Sequence, residues 1–191
     1  MDNSTRGCLE ITSAIGIREP PATSEPLPYM ILPMLDYADD LRTTVVQAAA
    51  SLAAMSDEAA GRRPGPGRWS PKEVIGHLID SAANNHQRFV RAQLQDDLVF
   101  AGYAQDAWVA VQRYQEATWQ ELLTLWRAYN LHIARLIEVM PVEVRLRERP
   151  RHNLHELAWR PLPAGTPPTL DYFMRDYVGH LHHHLRQIDH P

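Results

Sequence analysis

The sequence predicts an all-α protein: a four-helix bundle with a proline-rich N-terminal arm and an irregular segment before the last helix. Three observations predict it. Apolar residues recur at helical spacing in four separate stretches, while the period-two alternation of strands is sparse. The run Ser70-Pro71-Lys72-Glu73 is a strong helix start, with a capping serine, a proline suited to the first helical position and a glutamate that completes a capping box. The chain has 191 residues, 45 % of them apolar, enough to bury one sizeable core. Four amphipathic helices in one domain of this size predict an antiparallel-type bundle.

In chain order, residues 1–34 contain Pro20, Pro21, Pro26, Pro28 and Pro33 without a long periodic pattern, and are read as an arm; residues 35–191 are read as the bundle domain. Residues 36–57 place Leu41, Val45, Ala48, Leu52 and Met55 on one helical face. The turn-rich "GRRPGPGRW" at 61–69 separates this helix from a second, expected over about 71–94. Residues 107–140 carry Trp108, Val111, Trp119, Leu122, Trp126, Ile133 and Ile137 at helical period, which predicts one long third helix stopped by Pro141. Residues 141–168, rich in Arg and Pro, are expected to be irregular, with room for a short helix or strand. A last helix is expected from Thr169 to about 188.

Composition excludes several classes. A formal charge of -4 argues against a nucleic-acid partner, which calls for a basic excess. No apolar run approaches the ~18 residues of a membrane span, and no secretory signal is evident, so a cytoplasmic protein without a membrane partner is expected. Cys8 is the only cysteine; it excludes an internal disulfide framework and a CxxC metal site, so that any metal must be held by His, Asp or Glu.

Residues 176–190, "DYVGHLHHHLRQIDH", hold five of the ten histidines. On a helix of ~100° per residue, Phe173, Tyr177, Leu181, Met174, Leu185 and Val178 form one apolar arc. His184 lies inside that arc and His180 at its edge one turn earlier, whereas His182 and His183 face solvent. Imidazoles at i and i+4 can share one ion; an edge histidine beside a satisfied core histidine gives the same pattern. On the second helix His77 again sits at the edge of the apolar arc. Ser81, Asn85 and Arg88 lie on or beside the same buried face, with Asp80 and Asn84 flanking it. Such a polar seam entering a core needs partners there, as a lined pocket would supply; a surface groove is the other reading. His132 is expected to be solvated. Asp80 could orient a neighbouring ring or be solvated. Tyr177 could donate to a bound anion or simply pack.

The block "RWSPKEVIGHLIDSAANN" resembles the W-[ST]-x-x-[EQ]-[VI]-x-x-H-[LV]-x-[DS] signature of the DinB/YfiT-like superfamily of metal-binding four-helix bundles, and "YVGHLHHHLRQI" resembles its Y-x-x-H-x-x-H-H-x-x-H/Q-I close. The "LAWRPLPAGTPPTL" before the last helix matches another habit of the family. The resemblance spans roughly residues 36–188. It implies a divalent ion held by His77, His180 and His184, the three that the helical wheel selects independently. It also implies a homodimer and, from the family's characterised activities, a thiol-dependent S-transferase or isomerase using a low-molecular-weight thiol cosubstrate.

Three neutral imidazoles leave positions open for water or substrate, as in catalytic sites. They suit zinc, nickel or iron. A small-molecule substrate is expected, with Asp80, Ser81, Asn84, Asn85, Arg88 and Tyr177 as supporting or substrate-binding candidates. A metal-dependent hydrolase and a non-catalytic metal- or ligand-binding bundle are the alternatives.

Overall fold

The computed structural model describes residues 36–189, and the expected N-terminal arm lies outside them. Four long helices carry the fold: α1 (Asp36–Leu52), α3 (Pro71–Leu94), α5 (Trp119–Glu138) and α8 (Leu170–Asp189). Short helices join them: α2 (Asp57–Gly61), α4 (Gln105–Gln112), α6 (Val142–Leu146) and α7 (Leu154–Leu157).

The second helix begins where its capping signal places it. Ser70 Oγ accepts from the Glu73 amide, and the Glu73 carboxylate accepts in return from the Ser70 amide at 2.9 Å. The first helix stops at Leu52, short of the expected 57. The single helix expected over 107–140 is two helices. Arg113 adopts a left-handed conformation (φ 53°), a 3₁₀ turn follows over Tyr114–Glu116, and Thr118 with Glu121 forms a second capping box that restarts the chain as α5. The T-x-x-E signal at 118–121 was present in the sequence, masked by apolar periodicity that runs through the break.

Side-chain pairs fix the directions of the long helices. On α1 and α5, Arg42 meets Glu138 while the Trp119 indole N–H donates to the Leu52 carbonyl at 2.9 Å, so these two run antiparallel. On α3 and α8, His77 meets His184 and Phe89 meets Phe173, again antiparallel. But Lys72 donates to the Ala117 carbonyl just ahead of α5 while His86 meets Tyr129, so α3 and α5 are parallel. Asp36 meets Arg175 while Asp40 meets His182, so α1 and α8 are parallel as well. The expected antiparallel-type bundle is therefore half parallel. The physical reason is the connection: parallel neighbours need a crossover that returns along the bundle, and residues 95–118 with α4 provide it.

Buried cations stitch the connections to the helices. Lys72, the sole lysine, gives its ammonium to Asp57 and to the Ala117 carbonyl, both at 2.8 Å, while Asp57 accepts from the Trp119 amide. Arg149 donates to the carbonyls of Ala92, near the end of α3, and Val144. The irregular segment contains α6 and α7 and one parallel bridge, Leu98 with His152.

One close approach constrains α3. A Cβ at Gly76 would overlap the Tyr114 ring, which packs against the helix there. Although alanine favours helix over glycine by ~1 kcal/mol, Gly76→Ala is expected to lower stability by about 1–3 kcal/mol through overpacking. Urea denaturation of the two proteins measures it.

Candidate metal centre

His77 stands on the second turn of α3, and His180 and His184 on consecutive turns of α8. The antiparallel packing of these helices brings one nitrogen from each ring within 4.8 Å of the others. The ring centroids are 4.5 Å apart for His77–His184 and for His180–His184, and 5.2 Å for His77–His180. His77 and His184 are buried and His180 is half-buried.

The geometry fits a divalent metal. The Nε2 atoms of His77 and His180 are 3.3 Å apart, and ligands at ~2.05 Å from a tetrahedral ion are about 3.3 Å from each other. The Nδ1 of His184 faces the Gln187 side-chain oxygen at 3.0 Å. That oxygen can only accept, so the proton sits on Nδ1 and Nε2 carries the free lone pair, the tautomer a ligand requires. Gln187 is oriented in turn, because its amide nitrogen reaches His183 at 3.3 Å. Among the described residues the Nδ1 of His77 is buried without a partner.

Burial keeps the imidazoles neutral. It pushes the His77 pKa down to about 3, helped by His184, and the His180 pKa down to about 2, helped by His184, His77 and His183. Burial also lowers His184, opposed by its bond to Gln187. Two tryptophans pack against the cluster. Trp69, just before the α3 cap, lies 5.1 Å from the His77 ring and stacks at 6.3 Å on His184. Trp159 lies 6.4 Å from His180 and 5.1 Å from His183. Neither was singled out as a site residue from sequence. Trp69 stood inside the quoted block and Trp159 inside the "LAWRPLPAG" segment, but no periodicity aims a side chain from outside a helix.

A cavity of ≈ 270 Å³ opens beside the cluster, lined by His77, Ser81, Asn85 and Arg88 of α3, Phe173, Asp176, Tyr177 and His180 of α8, and Gly102, Tyr103, Gln105, Glu156, Leu157 and Trp159 of the connections. A second, of ≈ 320 Å³, is lined by His184, Trp69, Gln187, Gly67, Arg68, Gln105 and Asp106. The cluster thus has an opening on either side.

The remaining predicted residues divide. Ser81, Asn85 and Arg88 are buried and face the first cavity. Asn84 does not; its amide donates to the Asp80 carbonyl at 2.8 Å. Asp80 is buried rather than solvated, and one carboxylate oxygen accepts from the Tyr114 hydroxyl at 2.7 Å and from Gln112. That bond holds the helix break against α3 and orients no histidine ring. Tyr177 lines the cavity, but its hydroxyl donates to Asn130, the packing alternative. His182 and His183, expected in solvent, are half-buried outside the cluster, His182 on Asp40 and His183 beneath Trp159. His132 is exposed, as expected.

The DinB superfamily model matches residues 39–188. The chain belongs to the DinB superfamily. Its structure is similar to that of YfiT from Bacillus subtilis, described as "a probable metal-dependent hydrolase with an unusual four-helix bundle topology", with a TM-score of 0.62 and 20 % identity over 92 % of this chain and 91 % of that one. At that identity the likeness establishes the fold. No curated protein matches the chain. Among the described residues of this DinB-superfamily member, the three histidines are the only His, Cys, Asp or Glu group placed to hold a metal, and no helix is long and apolar enough to cross a membrane.

The depressed pKa values set a pH dependence for the metal-free protein. Above the ordinary value of 6.5 the rings are neutral folded or unfolded and contribute nothing. Below it the unfolded chain takes up protons that buried His77 refuses until about pH 3, so stability falls as pH drops through that window. Chelator-treated protein is expected to lose urea resistance between pH 7 and 5, and His77→Gln to lose less of it.

Proposed function

We propose that this protein is a divalent-metal-dependent enzyme acting on a small molecule in the cavity lined by His77 and His180. One observation carries the reading: three neutral imidazoles converge at a cavity wall instead of being sealed inside the bundle. A structural ion needs no such opening.

His77, His180 and His184 would hold the ion. A bound divalent ion supplies Lewis acidity, which makes water or a thiol an effective nucleophile near neutral pH. The chain's own residues do the rest. Burial keeps the rings in the ligating form, Gln187 fixes the His184 tautomer, and Trp69 and Trp159 exclude bulk water. Water as nucleophile makes the enzyme a hydrolase, the activity YfiT is described as probably having.

The second opening, at His184 and Trp69, favours a second reading. A site reached from two sides admits two reactants, and no cysteine stands among the described residues to serve as nucleophile. A low-molecular-weight thiol entering on one side and an electrophile on the other would make the enzyme a thiol-dependent S-transferase. Zinc, nickel and iron all suit the donor set.

Untagged protein is expected to contain about one transition-metal ion per chain by elemental analysis. His77→Ala and His184→Ala are expected to retain none after dialysis while staying helical by circular dichroism. Full metal content in both variants would overturn the reading. Metal-loaded protein assayed on ester and amide panels, and on an aryl halide with and without added thiol, separates the two chemistries: turnover in water alone marks the hydrolase, thiol-dependent turnover the transferase.

A further inference from the structure

His77, Ser81, Asn85 and Arg88 share one stripe of α3, and the cavity runs along it from the histidine cluster to a guanidinium. Arg88 is 6 % exposed. Its Nη2 donates to the Ala101 carbonyl at 2.8 Å and its Nη1 to the Asn85 side-chain oxygen at 3.3 Å. A guanidinium carries five N–H donors, so these bonds leave donors over. No carboxylate lies within 4.0 Å of it among the described residues. A buried charge without a counter-charge is costly. Burial accordingly pushes the Arg88 pKa down, opposed by the nearby Tyr103 hydroxyl and by no carboxylate.

We propose that the cavity is a carboxylate-binding subsite, in which Arg88 receives the carboxylate of a small-molecule ligand and Asn85 holds the guanidinium in place. The positioning is built into α3. The Asn85 amide nitrogen donates to the Ser81 carbonyl at 2.9 Å and to the Ser81 hydroxyl at 3.3 Å, which turns its oxygen toward Arg88. The Phe173 ring lies 5.9 Å from the guanidinium carbon and supports it from α8. The bond to Asn85, three residues earlier, shows the side chain reaching back toward His77. The carboxylate would therefore sit two to three helical turns from the cluster, roughly 10–16 Å at 5.4 Å per turn.

The acids nearby are committed elsewhere. Both oxygens of Asp176 accept backbone amides, from Trp159 at 2.8 Å and Arg160 at 2.9 Å. Glu156 is exposed and lies beside His155 and Asn153. Two acids and one cation line the cavity, which favours a ligand with one negative charge over a multiply charged phosphate. Arg149, another buried arginine without an ion pair among the described residues, donates from Nη2 alone to the carbonyls of Ala92 and Val144, leaves Nε and Nη1 without a partner there, and lines neither cavity at the cluster, so it offers no donor to a ligand at the site.

This assigns a substrate class to the proposed enzyme and rests on that reading only for where the reaction occurs; binding at Arg88 itself needs no metal. The test uses full-length protein, both chelator-treated and zinc-loaded, titrated with 4-phenylbutyrate and with its uncharged isostere 4-phenylbutanamide. Calorimetry reads affinity, and tryptophan fluorescence reads occupancy beside Trp159. The carboxylate is expected to bind about tenfold or more tighter than the amide, with or without zinc, the ratio a charge-assisted hydrogen bond gives. Arg88→Met is expected to bring the ratio to about one; if that variant does not fold, Arg88→Gln is read for the same loss. Carboxylate selectivity absent from the unmodified protein, or unchanged in the folded Arg88 variant, overturns the proposal. Selectivity that persists in His77→Ala protein lacking metal keeps the subsite even if the metal reading fails.

Discussion

The site depends on the register in which α3 and α8 pack antiparallel. At one end of the pair, Phe89 meets Phe173 and Tyr177 edge to face, with centroids 5.9 and 5.7 Å apart. At the other, His77 meets His184 and His180. The aromatic contact at 89 and 173 and the imidazole contact at 77 and 184 are almost equally spaced along the two helices, as a straight antiparallel pair requires. A slip of one helical turn would leave the apolar faces buried but carry the imidazoles past one another. Burial of Phe89 and Phe173 therefore supplies both stability and the alignment of the histidines.

Desolvation explains why imidazoles suit this place. A carboxylate or ammonium buried between helices requires a counter-charge, whereas imidazole can enter neutral and keep a lone pair for a ligand. The roof over the cluster comes from the connections and is itself pinned. Asp176 accepts the amides of Trp159 and Arg160, and Gly179 leaves room for the Trp159 ring, which an added Cβ would approach at 3.3 Å. The cavity floor is thus regular helix, and its cover is irregular chain held by a few specific bonds. Such a division keeps ligating groups rigid while leaving the shape of the chamber to segments that tolerate change.

The parallel pairing of α3 with α5 has a consequence for the site. It obliges residues 95–118 to cross back along the bundle, and that crossover delivers Gly102, Tyr103 and Gln105 to the cavity and Tyr114 to Asp80. The helix break at Arg113 lets Tyr114 turn onto α3 over Gly76, where its hydroxyl reaches the buried carboxylate. Asp80 therefore serves the crossover's anchorage, and the polar seam of α3 divides between that role and the lining at Ser81, Asn85 and Arg88.

Local chemistry legible in the sequence determined the helical class, the start of α3 at its capping box and the inward face of α8, because caps and apolar periodicity act within a few residues. It also determined that His77, His180 and His184 point to the core side of their helices, but not that His182 and His183 would be half-buried against Asp40 and Trp159. Apolar periodicity misled at 107–140, where it continued across a break that the Thr118–Glu121 cap had signalled. Which helices became neighbours, and in which direction, was decided only by the tertiary structure, since an amphipathic face does not specify its partner. The same holds for Trp69 and Trp159 over the rings, for the burial of Asp80 and for the guanidinium of Arg88 left without a carboxylate among the described residues: each depends on groups distant in the chain, whose meeting no local pattern encodes.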